Sequence, residues 1–313
     1  MALVEEPTQV AVVARSPFQL FWRRLSGDSV ALFALGVIAL LVLVATLAPV
    51  LVDLAGARPP NEQSTSRLSE FGTAAGPSRD ALFGTDSLGR DVFSRVVYGS
   101  RVSLQVAVIS TGLVTVLGVT LGMLAGYYRG WVDTVLSRLM DVVLAFPVLL
   151  LALGLGTACS LGDGCLGNLV RPGVSVVIFV IVLAQWPYMA RIIRGQVLSL
   201  REQDYVEAAR SLGASDLRIM VSQILPNLVA PIVVYATLLI PVNILFEAAL
   251  SFLGVGVQPP TPSWGAMIAD AVNIFDTAWW YMTFPGLALV LTVLAFNLVG
   301  DGLQDALDPR SDA

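Results

Sequence analysis

The chain has 313 residues, 56% of them hydrophobic and only 13% charged, with a net charge of −5. A soluble globular chain is about 45–50% apolar and about 25% charged, so this balance argues against a water-soluble domain and points into a membrane. The acidic balance speaks against a nucleic-acid binder, and a chain whose 18 basic residues are all Arg, with no His, has no phosphate-binding lysine loop, no His-based zinc site and no His-based triad.

Residues 1–29 are mixed and polar and read as a cytoplasmic tail. They do not resemble a cleaved signal peptide, because the apolar run that follows is long and lacks a small-residue cleavage site near its start. That run, VALFALGVIALLVLVATLAPVLV at 30–52, has no charge in 23 residues. It has no polar face to show to water and predicts the first span. Residues 53–98 are rich in Pro, Ser, Gly and charge and predict an extracytoplasmic loop with little regular structure. At its end Val92, Val96 and Val97 alternate with Ser94 and Arg95 at helical spacing. This predicts a short amphipathic helix on the outer surface, leading into the second span.

The remaining apolar runs place five more spans at about 102–127, 139–157, 173–193, 228–255 and 282–300, inside a core of residues 99–303. Residues 304–313 form a second cytoplasmic tail. The second span carries Gly118, Gly122 and Gly126 on one stripe, a face that admits another helix closely. Cys159 and Cys165 lie six positions apart in a Gly-rich loop after the third span. A disulfide suits that loop better than two free thiols, which are usually buried.

Arg placement orients the chain. Eleven Arg fall on the side of the N-terminal tail and seven on the other, six of those seven in or at the end of the 53–98 loop. Both termini are therefore expected in the cytoplasm. Three acids lie in or near spans: Asp141, Glu247 and Asp301. An intramembrane carboxylate marks either the path or an interhelical pair. Asp141 and Asp301 sit near span ends, where pairing with Arg138, Arg191 or Arg194 is expected. Glu247 lies deeper, where it could face the path or a partner permease. Trp264, Trp279 and Trp280 flank the last outer loop and predict an interfacial belt.

Between the fourth and fifth spans stands a polar stretch, EQDYVEAARSLGASDLRIMVSQILPN at 202–227. Asp204 suits an N-cap, with Glu207 at capping-box spacing, for a helix from Tyr205 to about Leu212. Gly213 is placed to stop it. Ser215 suits the cap of a second helix, with Asp216 in its first turn, and Pro226 marks the return into the membrane. Ala208 and Ala209 permit close approach by another surface. From these residues alone, a docking element and a solvated linker stand about level.

Glu207-Ala208-Ala209, then Gly213, then Leu225-Pro226 resembles the signature of permease subunits of bacterial ABC importers. LFGTDSLGRDVFSRVVYGSRVSL, the Asp141 to Pro147 segment, ILFEAALSFLGVGVQPPTPSWGAMI and FNLVGDGLQDALDPR are similar, in order, to the C-type permease of the dipeptide/oligopeptide (peptide/nickel) family. Gln223, Ala81-Leu82 and Gln304 depart from its common residues. The resemblance implies an all-α membrane protein of the type I importer fold, with six spans and a coupling helix between the fourth and fifth. It implies a second permease subunit, two cytoplasmic ATPases that hold ATP and magnesium, and an external solute-binding protein. Coupling would fall to Glu207, Ala208, Ala209, Arg210, Gly213, Leu225 and Pro226, with the chain in the bacterial inner membrane among its lipids. No catalytic residue, metal or cofactor is expected in this chain itself. Cargo would be di- or oligopeptides, with nickel, an oligosaccharide or another small solute as the alternative. A membrane enzyme or scaffold is the competing class. It would need a reactive polar cluster inside the spans, and only scattered carboxylates appear.

Overall fold

A computed structural model describes residues 17–69, 71–160, 164–165 and 170–307. Residues 1–16 and 308–313 of the expected tails, and most of the loop around Cys165, lie outside the described residues; 304–307, expected in the second tail, end the last helix. The described chain is mostly helical. Five helices are long and apolar enough to cross a membrane, or six if one sharply bent pair forms a single span.

The N-terminal segment expected as a plain tail contains a helix, α1 (Pro17–Gly27). Leu25 and Phe21 of α1 pack against Leu303 and Ala306 near the chain's other end. Asp28 then caps α2 (Ser29–Thr46), its carboxylate accepting from the N–H groups of Val30 and Ala31. A short α3 (Ala48–Leu54) continues the first span past a break at Leu47.

The predicted short surface helix is not a separate element. Val92 begins one continuous helix, α4 (Val92–Tyr128), of 37 residues. Asp91 caps it, accepting from the N–H of Ser94. The apolar run and the amphipathic turns share one helical phase, and Gly99 at the join stays helical, packed against Trp264. At about 1.5 Å per residue this helix is about 55 Å long, well beyond a hydrocarbon core of about 30 Å.

After α4 come α5 (Gly130–Leu144) and α6 (Val148–Ser160). They meet at 86° across Ala145-Phe146-Pro147, so the third predicted span is a broken one. Proline disfavours helix in the residue before it, which places the break here. A disulfide joins Cys159 to Cys165 at the far end of α6. Then follow α7 (Val174–Leu200), α8 (Asp204–Ser211) and α9 (Asp216–Ile219). A wide turn at Met220–Ile224 leads into α10 (Leu225–Phe252), and α11 (Trp264–Val272) and α12 (Trp279–Leu307) close the chain.

The glycine stripe of α4 packs on α7. A Cβ at Gly118 would meet Met189 at 2.6 Å, and one at Gly122 the Ala190 carbonyl at 2.5 Å. Small residues bring two backbones together where lipid supplies no hydrophobic drive of its own.

The described residues of 55–91 have almost no regular structure beyond a single turn at Thr65–Arg67, yet they are held by side chains. Asp86 accepts from the N–H groups of Leu88 and Arg90 and from the Arg90 guanidinium at 2.5 Å. Ser94 donates to the Arg58 carbonyl, and Arg67 reaches Asp91 at 3.2 Å. The interfacial belt is corrected at two of its three members. Trp264 is fully buried and donates to the Val96 carbonyl at 3.0 Å. Trp280 is buried and donates to the Thr85 carbonyl at 3.0 Å. Each indole found an internal acceptor, which buries it. Trp279 remains half exposed.

Candidate functional site

The stretch 202–227 folds as helix, glycine turn, helix. The first helix starts one residue earlier than expected, because the Gln203 carbonyl already accepts the first helical bonds, from the N–H groups of Val206 and Glu207. Gln203 is thus the N-cap, without a side-chain bond, and Asp204 is the first helical residue. The capping box from Asp204 to Glu207 is absent for that reason. Both acids still lie in the first turn, where they suit the positive end of the helix. Ser215 occupies the cap of α9, also without a side-chain bond.

The stop at Gly213 is a pair of backbone bonds. Gly213 has φ +81° and donates to the Arg210 carbonyl, and Ala214 donates to the Ala209 carbonyl. This is the Schellman arrangement, which demands a left-handed residue where glycine stands.

One face of this elbow is buried and the other is open. Val206, Ile219, Met220 and Ile224 sink into a core with Tyr127, Ile193 and Val197. Glu207, Ala208, Arg210, Gly213 and Pro226 are exposed, while Ala209 and Leu225 are half-buried. Leu212 is 88% exposed and Leu217 68% exposed. These two leucines were not singled out from the sequence. An apolar residue beside a glycine stop was the available signal, since the Schellman turn projects what precedes it.

The elbow is tied to the inner bundle by polar contacts. The Tyr127 hydroxyl donates to Asp216 at 2.8 Å. Arg201 donates to the Tyr127 carbonyl and lies over its ring. Arg129 pairs with Glu202 at 2.7 Å. Arg210 lies beside the Tyr127 hydroxyl, so its charge is partly turned inward.

The acids separate by environment. Asp141 pairs with Arg191 at 2.8 Å and with Arg138 at 3.9 Å, all three about half exposed or more. Arg194 instead makes a two-point pair with Asp133, at 2.5 and 2.7 Å. Asp133 was not among the residues singled out from the sequence. Asp301 is exposed on α12. Glu247 is fully buried and accepts from Ser103 of α4 at 2.9 Å and Ser251 of its own helix at 2.7 Å. Enclosed this way, Glu247 is turned away from the surface. It joins α10 to α4.

A second buried polar chain crosses the bundle. Gln185 donates to Asn243 at 2.8 Å, and Asn243 donates to Thr111 at 2.8 Å. Gln185 also lines a cavity of about 310 Å³ with Val148, Tyr188 and Phe246, beside the break between α5 and α6. Polar residues inside apolar runs are the sequence signal for this chain.

Comparison with known proteins accounts for this arrangement. Residues 118–312 match the family of the binding-protein-dependent transport system inner membrane component. Residues 16–68 match the N-terminal TM domain of oligopeptide transport permease C. The dipeptide transport system permease protein DppC of Alkalihalophilus pseudofirmus is 38% identical over 304 residues, covering 97% of this chain and 93% of its own. The glutathione transport system permease protein GsiD of Pectobacterium atrosepticum is 44% identical over 296 residues, covering 95% and 92%. Among solved structures, the MetNI methionine ABC transporter in an inward-facing conformation superposes with a TM-score of 0.57 at 19% identity, covering 69% of this chain and 97% of that one, a likeness of fold. With a family match across most of its length and relatives of this identity end to end, the chain belongs to the binding-protein-dependent transport system inner membrane components, as a multi-pass permease of an ABC importer.

Proposed function

We propose that this permease is one of two non-identical membrane subunits of an importer for small peptides, and that the elbow at 202–227 receives the stroke of a partner ATPase. The relatives named for dipeptide and glutathione transport support the cargo class. ATP and its magnesium belong to the ATPases, since this chain brings no lysine loop. A solute-binding protein delivers the peptide on the other face.

The observation that carries the coupling role is the form of the elbow: one face open, with Leu212 and Ala208 outward, the other bonded into α4, α7 and α10. A surface patch on a loose linker would absorb a push. Here Tyr127–Asp216 and Arg129–Glu202 pass it to α4. The buried Val206, Ile219 and Ile224 pass it to the feet of α7 and α10. ATP shifts access only through contacts that differ between the two states, and the exposed leucine and alanine face is where those contacts can change.

Gly213 tests this. Its surroundings are open, with no atom within 4 Å of the point a Cβ would occupy, so a substitution acts through the backbone alone. A β-branched residue at this φ costs about 1–2 kcal/mol, whereas Asn tolerates it. Gly213→Val is expected to leave the complex assembled while lowering ATP-driven peptide uptake in proteoliposomes about tenfold. Gly213→Asn should stay near the parent rate. Full uptake by Gly213→Val would remove the elbow from the coupling path.

A further inference from the structure

At the end of the bundle opposite α8 lies a cavity of about 370 Å³, between residues 88–95 and 251–270. Its wall carries two guanidiniums, Arg90 and Arg95, and one carboxylate, Asp270, among neutral groups such as Ser251, Gln258 and Thr261. A volume of this size suits a small ligand, at the lower end of about 300–1,000 Å³.

The two arginines are not equivalent. Arg90 has the Asp86 carboxylate at 2.5 Å. Asp86 spends its other oxygen on the N–H groups of Leu88 and Arg90. Arg95 is only 3% exposed, and its Nε has no hydrogen-bond partner. The nearest carboxylate oxygen, on Asp86, is 3.8 Å from that Nε and already serves Arg90. The rest of the Arg95 head reaches neutral oxygens, the Pro60 carbonyl at 3.2 Å and the Asn61 side chain at 3.5 Å. A buried cation with an unused donor is costly, and an arriving carboxylate relieves it. Asp270 supplies the opposite charge on the same wall. Its side chain is 55% exposed, 3.9 Å from Arg90, and accepts from the Tyr281 hydroxyl at 3.2 Å.

We propose that this cavity is a binding site for a small zwitterion, a free peptide whose terminal carboxylate meets Arg95 and whose amino group meets Asp270. The inference rests on the peptide reading above and adds to it. The permease itself reads both termini of the cargo at its outer mouth, before the path opens. An amidated or acetylated peptide of the same side chains then binds less well, because one charge on the wall is left without its partner.

The test uses the whole complex of permeases and ATPases in nanodiscs, without the solute-binding protein, whose own selectivity would mask the effect. Binding is measured for Ala-Ala, its C-terminal amide and its N-acetyl form. Parent complex should bind both blocked peptides at least tenfold more weakly. Arg95→Gln should weaken Ala-Ala about tenfold and leave the amide unchanged, a pattern that general damage to the fold does not produce. Asp270→Asn should erase discrimination against the acetyl form, and this exposed position carries the test if Arg95→Gln does not assemble. Equal binding of all three peptides, no binding of any, or discrimination that survives both substitutions overturns the proposal. Uptake of Ala-Ala with the binding protein present separates the two readings. If uptake proceeds while the termini go unread, this site alone fails; if no peptide is taken up, the peptide reading fails with it.

Discussion

Individual residues in this permease take their meaning from what encloses them more than from their charge. Asp141 and Glu247 are both carboxylates near apolar sequence, yet one is half exposed beside Arg191 and the other is wholly enclosed by serine hydroxyls. The half-exposed pair is the weaker tie of the two. Glu247 holds two helices together through donors that would otherwise be buried and unpaired. Glu247→Ala should therefore lower complex stability by about 2–4 kcal/mol, from a cavity and from two hydroxyls that lose their carboxylate acceptor. Glu247→Gln keeps the shape and an acceptor and should lose about half of that or less. Thermal unfolding of the detergent-solubilised complex reads both. Equal losses for Ala and Gln would show that hydroxyl bonding is not what Glu247 supplies.

Elements were legible in the sequence where one local rule decides them. Apolar length announced the spans, and Gly213 announced the stop of α8, because a left-handed stop is a property of one residue. Rules that depend on a distant partner were not legible. The stripe of Gly118, Gly122 and Gly126 promised close packing but not its target, which is α7. Trp264 and Trp280 matched an interfacial belt because an indole at the membrane edge and an indole bonded to a buried carbonyl have the same local sequence. The cap of α8 slipped by one residue because the Gln203 carbonyl took the first helical bonds, from Val206 and Glu207. The stripe supports a sharp expectation. A Cβ at Gly122 lands 2.5 Å from the Ala190 carbonyl and 3.0 Å from Ile193. Gly122→Leu should force α4 and α7 apart, costing about 1–3 kcal/mol or more and lowering the amount of assembled complex. Gly112→Leu, where nothing lies within 4 Å, should be near neutral. Equal yields of the two variants in membranes would mean that the stripe is not the packing seam.

At the scale of the whole molecule, α4 joins the two ends. Its first turns carry Arg95 at the cavity opposite α8, its last third carries the glycine seam, and Tyr127 at its far end holds the elbow. A rigid rod of this kind can relate occupancy at one face to position at the other, provided the two ends lie on opposite sides of the membrane. The cysteines test that orientation. Cys159 and Cys165 form a disulfide at the end of α6 remote from the Pro147 break, and Arg placement predicts that this end lies outside. Intact cells treated with a mild reductant should become labelled at both positions by a membrane-impermeant thiol reagent. Without reduction they should label little. The chain has no other cysteine, so the signal is unambiguous in the purified subunit. Labelling obtained only after the cells are opened would invert the molecule. The elbow would then face away from any cytoplasmic ATPase, and the Arg95 cavity would become an inner vestibule. The coupling role and the outer peptide site therefore stand or fall together on the side from which two thiols react.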